Sequence, residues 1–81
     1  MHVEIKCDLP GVFYRSPAPG EPAFVNEGDT VTPETVVGMV ELMKQFTEVS
    51  AGITGVLESF SVNDGDDVDT DMTIAVVKAV G

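Results

Sequence analysis

Among the 81 residues of this chain, the side chain with the widest chemical scope is the amine of Lys44. A lysine amine that has lost its proton is a nucleophile, and it forms stable amides with activated acyl groups. Three lysines are present, Lys6, Lys44 and Lys78, and Lys44 lies in the run Val40-Glu41-Leu42-Met43-Lys44-Gln45-Phe46. A lysine at a turn is ordinarily a solubilising charge. Here Leu42, Met43 and Phe46 surround it with apolar groups at an exposed tip, a pattern that suggests recognition by another molecule. Glu41 either orients or hydrogen-bonds the lysine or is an ordinary charge at the end of a strand.

The other candidates carry less. Asp64, Asp66, Asp67, Asp69 and Asp71 suggest a calcium loop at first sight. Counted from Asp67, however, the position that needs the turn glycine is Met72 and the position that needs the closing glutamate is Lys78. The run reads as a solvated turn. His2 has no second histidine, cysteine or suitably placed acid beside it for metal or acid-base work. Cys7 is the only cysteine, so it forms no internal disulfide; it reads as a packing residue in a reducing compartment, the cytoplasm. With no nucleophile-base set and no phosphate-binding glycine loop, the domain by itself should catalyse nothing.

What positions Lys44 is an internal repeat. Val3-Glu4-Ile5 to Gly11-Val12-Phe13 runs parallel to Thr47-Glu48-Val49 to Gly55-Val56-Leu57 at an offset of 44 residues. Val25-Asn26-Glu27-Gly28-Asp29-Thr30-Val31 matches Val62-Asn63-Asp64-Gly65-Asp66-Asp67-Val68 at an offset of 37, and Val37 to Val40 continues against Ile74 to Val77. A single seven-residue insertion, Ser16-Pro17-Ala18-Pro19-Gly20-Glu21-Pro22, reconciles the two offsets. The first half then spans residues 3–43 and the second 47–81, with Lys44 in the connection. Its symmetry equivalent is Gly81, so the termini are expected at one pole and Lys44 at the other.

Length and composition suit one small globular domain over residues 1–81: 43% of residues are apolar, and no apolar run approaches the ~20 residues of a spanning helix. The first residues, with His2, Glu4 and Asp8 interleaved, lack the basic flank and apolar stretch of a secretory signal. A net charge of −10 argues against a nucleic-acid partner, because phosphate binding needs clustered Lys and Arg. Short β-prone runs separated by turn residues predict an all-β protein. The strands expected are Val3 to Cys7, Gly11 to Tyr14, Ala23 to Val25, Val36 to Glu41, Phe46 to Ser50, Ile53 to Ser61 and Thr73 to Val77, with short pieces near Val31 and Val68. Asn26-Glu27-Gly28-Asp29 and Asn63-Asp64-Gly65-Asp66 read as equivalent turns. Neither half can bury its apolar face alone. The expected product is a flattened antiparallel barrel or sandwich of two four-stranded sheets with internal pseudo-twofold symmetry. The proline-rich insertion should protrude as a loop.

The motif Glu41-Leu42-Met43-Lys44-Gln45, followed by the Gly55-Val56 turn and Asn63-Asp64-Gly65-Asp66-Asp67-Val68, resembles the biotinyl/lipoyl carrier family over nearly the whole chain. The likeness is closest to the biotin carboxyl carriers of acetyl-CoA carboxylase, whose hairpin reads Glu-Ala-Met-Lys-Met. Glu41, Met43 and Lys44 match, while Leu42 and Gln45 stand where that pattern has Ala and Met. Lipoyl carriers have Asp-Lys-Ala instead. The run from Gly11 to Pro19 resembles the lead-in to that family's protruding thumb. The resemblance implies biotin joined by an amide bond to Lys44. It also implies three partners, a biotin protein ligase, a biotin carboxylase and a carboxyltransferase; no membrane partner is expected, since no apolar run is long enough to span one. A lipoyl carrier and an unmodified interaction module with the same fold are the alternative readings.

Overall fold

The computed structural model describes residues 1–79, which form eight strands and no helix. These are β1 (His2–Lys6), β2 (Gly11–Tyr14), β3 (Thr30–Val31), β4 (Val36–Leu42), β5 (Gln45–Ser50), β6 (Gly55–Phe60), β7 (Asp67–Val68) and β8 (Thr73–Ala79). They build two antiparallel four-stranded sheets, one ordered β1-β8-β6-β3 and the other β5-β4-β2-β7.

The two orders correspond position by position under the internal repeat. Strands β1 and β5, β8 and β4, β6 and β2, and β3 and β7 are equivalents. Each sheet therefore mixes strands of both halves, so neither half owns a sheet and both must be present for either to close. The ladders repeat the relation to the level of irregularities. In the β4–β5 pair the register slips between Val36 and Gly38, and in the β8–β1 pair it slips between Thr73 and Ala75. A bulge of this kind places an extra residue that breaks the strict alternation. The extra residues, Val37 and Ile74, are both fully buried.

The core is built from the same pairs. Phe13 and Leu57, Val31 and Val68, Val40 and Val77, and Cys7 and Ala51 are equivalent and buried, as are Val25 and Val62. Burying each valine, leucine or phenylalanine among them stabilises by roughly 1.5–3 kcal/mol. The turns recur as well. Gly28 N–H donates to Leu57 O and Gly65 N–H to Phe13 O, both at 2.7 Å. Asn26 N–H donates to Asp29 Oδ2 and Asn63 N–H to Asp66 Oδ2. Both turn glycines have positive φ, +96° and +87°, where a side chain would be strained.

Ala23 to Val25, expected as a strand, is irregular chain. Val25 is buried, so the apolar signal was real, but the segment has no ladder partner and reports packing rather than pairing. Strand β6 is shorter than Ile53 to Ser61 at both ends, and β8 runs two residues beyond Val77. Gly81, the expected symmetry mate of Lys44, lies outside the described residues, as does the end of the second half.

Candidate functional site

The site is built on the β4–β5 hairpin. Its ladder ends with Leu42 opposite Gln45, which leaves Met43 and Lys44 as a two-residue turn. Both have positive φ, 52° and 64°. Two-residue hairpins need this geometry because its twist matches that of the strands, and they usually meet the need with Asn-Gly. Met-Lys meets it at a strain of about 1–2 kcal/mol per residue. Only one other described non-glycine residue, Asp71, has positive φ. Strain held at an exposed tip points to a role for these two side chains beyond folding.

Leu42, Met43 and Phe46 are exposed to 38%, 87% and 58%, so much of the apolar collar around Lys44 is open to solvent. Lys44 itself is exposed, and among the described residues it has no ion pair. Gln45 is exposed on the opposite flank of the turn. Lys6 and Lys78 are exposed as well, but each lies within a strand, in β1 and β8. What sets Lys44 apart is the turn rather than accessibility.

Glu41 pairs with Phe46 on one side and Val12 on the other, on the outer face of the second sheet. Its partner is Tyr14, whose hydroxyl donates to Glu41 Oε1 at 3.3 Å. Loss of solvent around the half-buried ring, the charge and hydrogen bond of Glu41, and the charge of Asp64 together push the Tyr14 phenol above its ordinary pKa.

Tyr14 ends β2 just before the inserted segment, and residues 17–22 are exposed without strand pairing. Three contacts fix its base. Phe24 N–H donates to Arg15 O at 2.8 Å and closes the loop, while Arg15 N–H donates to Asp64 Oδ1 at 2.7 Å and ties it to the turn of the other half. The Arg15 guanidinium stacks 4.0 Å over the Phe60 ring, which in turn lies 6.2 Å from Phe13. Between the segment and the sheet runs a mainly apolar groove of about 370 Å³, walled by Ser16 to Pro19 and floored by Tyr14, Met39 and Phe46, with Asp64 at its edge. That volume falls in the range of small-molecule sites, roughly 300–1,000 Å³.

The structure thus gathers Glu41, Leu42, Met43, Lys44 and Gln45 at one tip. Sequence reasoning missed the groove, Tyr14 and Arg15. Alternation along β2, β4 and β5 could have placed Tyr14, Met39, Glu41 and Phe46 on one face, but not the fold of the insertion over them. In the acidic run, Asp64 accepts from Arg15, Asp66 from Asn63 N–H and Asp69 from Thr70 N–H, so these carboxylates have structural work in the turns.

A lysine held on a strained hairpin tip of a two-sheet, internally repeated β-domain defines a carrier-type module. The family model that matches residues 3–77 is the biotin/lipoyl one, described as "biotin-requiring enzyme", and the chain belongs to that family. It is 50% identical over 64 residues to the biotin carboxyl carrier protein of acetyl-CoA carboxylase of Chlamydia trachomatis, covering 79% of this chain and 39% of that protein. It is 40% identical over 74 residues to a chloroplastic biotin carboxyl carrier protein of acetyl-CoA carboxylase of Arabidopsis thaliana, covering 91% of this chain and 26% of the relative. The counterpart from Porphyra purpurea is 38% identical over 77 residues, covering 95% and 49%. The chain therefore spans between about a quarter and a half of the length of these relatives.

Proposed function

We propose that Lys44 is the attachment site for biotin and that the holo-domain carries carboxyl groups from a biotin carboxylase to a carboxyltransferase of an acetyl-CoA carboxylase. The single observation that carries this reading is the turn: Met43 and Lys44 occupy the two strained positions of an exposed hairpin, with the amine free to be acylated. The names of the relatives support biotin as the group and acetyl-CoA carboxylase as the system. The residues present fit such a group, since Lys44 is exposed on the turn and Phe46, two residues on, floors an apolar groove of small-molecule size.

On this reading the chain is a non-catalytic domain of two halves, 3–43 and 47–81, with residues 16–22 as its thumb. A biotin protein ligase modifies it, with Glu41, Leu42, Met43 and Gln45 as the recognised neighbours of the amine. When bound, biotin supplies the nitrogen that holds the carboxyl group; the chain's own residues hold the amine at the tip and expose it. Neither nucleic acid nor membrane is a partner. The free, buried thiol of Cys7 suits the cytoplasm.

The test is incubation with a biotin protein ligase, ATP and biotin, followed by intact mass of wild type, Lys44→Ala and Gln45→Met. One biotinyl adduct on wild type and none on Lys44→Ala is the expected result. Labelling that survives Lys44→Ala sinks the site. An unlabelled wild type rescued by Gln45→Met points to an unmodified module that has drifted from the motif.

A further inference from the structure

Tyr14 stands where the inserted segment leaves the second sheet, and its hydroxyl reaches Glu41, close to the end of the Lys44 hairpin. At 3.3 Å the bond is longer than the usual ~2.7–2.8 Å for O–H···O, so its hold on the carboxylate is modest and its effect on Lys44 should be small. Lys44 is the only cation of the β4–β5 hairpin, and Glu41 and Glu48 are its acids. Glu41 lies three residues before Lys44, with the turn bending the chain back between them. A carboxylate free to swing there would pair with the ammonium, and such pairing favours the protonated, non-nucleophilic form. The other charges near the Tyr14 hydroxyl are accounted for: Asp64 accepts from the Arg15 N–H, and the Arg15 guanidinium lies over Phe60.

We propose that Tyr14 is a positioning residue: by holding the Glu41 carboxylate on the outer face of the second sheet, it keeps the Lys44 amine unpaired and open to acylation. The biological meaning rests on the reading of Lys44 as the acylated residue, but the effect is a property of the chain itself. In the step concerned, the Nζ lone pair attacks the carbonyl carbon of an activated acyl group and a C–N bond forms. The bond from that carbon to its leaving group breaks with its electron pair, and the nitrogen proton passes to solvent base. Tyr14 touches no reacting atom and acts through Glu41.

The experiment acetylates the unmodified chain with a small activated ester, the N-hydroxysuccinimide ester of acetic acid, across a range of pH. Rates at Lys44, Lys6 and Lys78 are read by peptide mass for wild type, Tyr14→Phe, Glu41→Gln and the double variant. Tyr14→Phe is expected to slow Lys44 roughly two- to fivefold near neutral pH, the scale of an exposed ion pair. Lys6 and Lys78 should keep their wild-type rates. In the Glu41→Gln background the same substitution should change nothing. Equal Lys44 rates in wild type and Tyr14→Phe would overturn the proposal, as would slowing that persists with Glu41→Gln or that affects all three lysines alike. No ligase is used, so failure here is separate from failure of biotin attachment, which labelling of wild type decides.

Discussion

Replacing Met43 by glycine should make the domain more stable while spoiling the site. Met43 holds φ of 52°, where a side chain is strained by about 1–2 kcal/mol and glycine is not. Glycine also gives the unfolded chain more freedom, which offsets about 0.5–1 kcal/mol of that relief. Little packing is lost, because the Met43 side chain is 87% exposed. The net expectation is a gain of about 0.5–1 kcal/mol, which in a domain of this size raises the melting temperature by roughly 2–8 °C. Met43→Val is the opposite control, since a β-branched residue fits positive φ worse than methionine and should melt lower. Thermal unfolding by calorimetry, with urea titration to confirm, measures both. If Met43→Gly melts at or below the wild-type temperature, the turn stores no strain and the argument from it to function is lost. In the ligase assay the same variant should label more slowly than wild type despite its stability. That opposition of stability and activity is what a strained recognition turn produces.

The equivalent turn glycines should be equally intolerant: Gly28→Val and Gly65→Val each force a β-branched residue to positive φ and should lower stability by about 1–2 kcal/mol in urea denaturation, whereas wild-type midpoints would refute the turn assignment. Removing residues 16–22 should leave a folded domain, because Arg15 and Phe24 at the ends of the loop are already hydrogen-bonded, yet it should impair carboxyl transfer in a reconstituted assay; an unfolded product would make the segment structural. Tyr14 is the only tyrosine and tryptophan is absent, so the ultraviolet absorbance of tyrosinate reads this residue alone. Its folded-state ionisation is raised by loss of solvent and by Glu41, so its contribution to stability is complete below the unfolded phenol value and is lost as pH rises through the folded one. Glu41→Gln should bring the tyrosinate titration down towards the ordinary value, and an unchanged titration would deny the contact.

Much of this architecture is legible without coordinates. Two offsets and one insertion identify the repeat, and the turn tetrads with Gly28 and Gly65 are local signals that act over four residues. Lys44 stands out because its neighbours Leu42, Met43 and Phe46 are apolar where a turn should be polar. These inferences hold because alternation, turn chemistry and self-similarity are written in contiguous residues. Other features depend on contacts between residues far apart. Ala23 to Val25 has strand-like composition and a buried valine, but the chain packs it against the core without pairing it to a strand. The exchange of strands between halves, which places β1 and β3 around β8 and β6, follows from closing two sheets over one shared core; no local preference chooses a partner 70 residues away. The groove, the Tyr14–Glu41 bond and the hold of Asp64 on Arg15 likewise exist only because the insertion folds back over a face assembled from β2, β4 and β5. The sequence by itself therefore determined the repeat and the apolar-flanked turn that presents Lys44. Only the tertiary structure decided what surrounds that lysine, because long-range packing, and not residue type, brings those groups together.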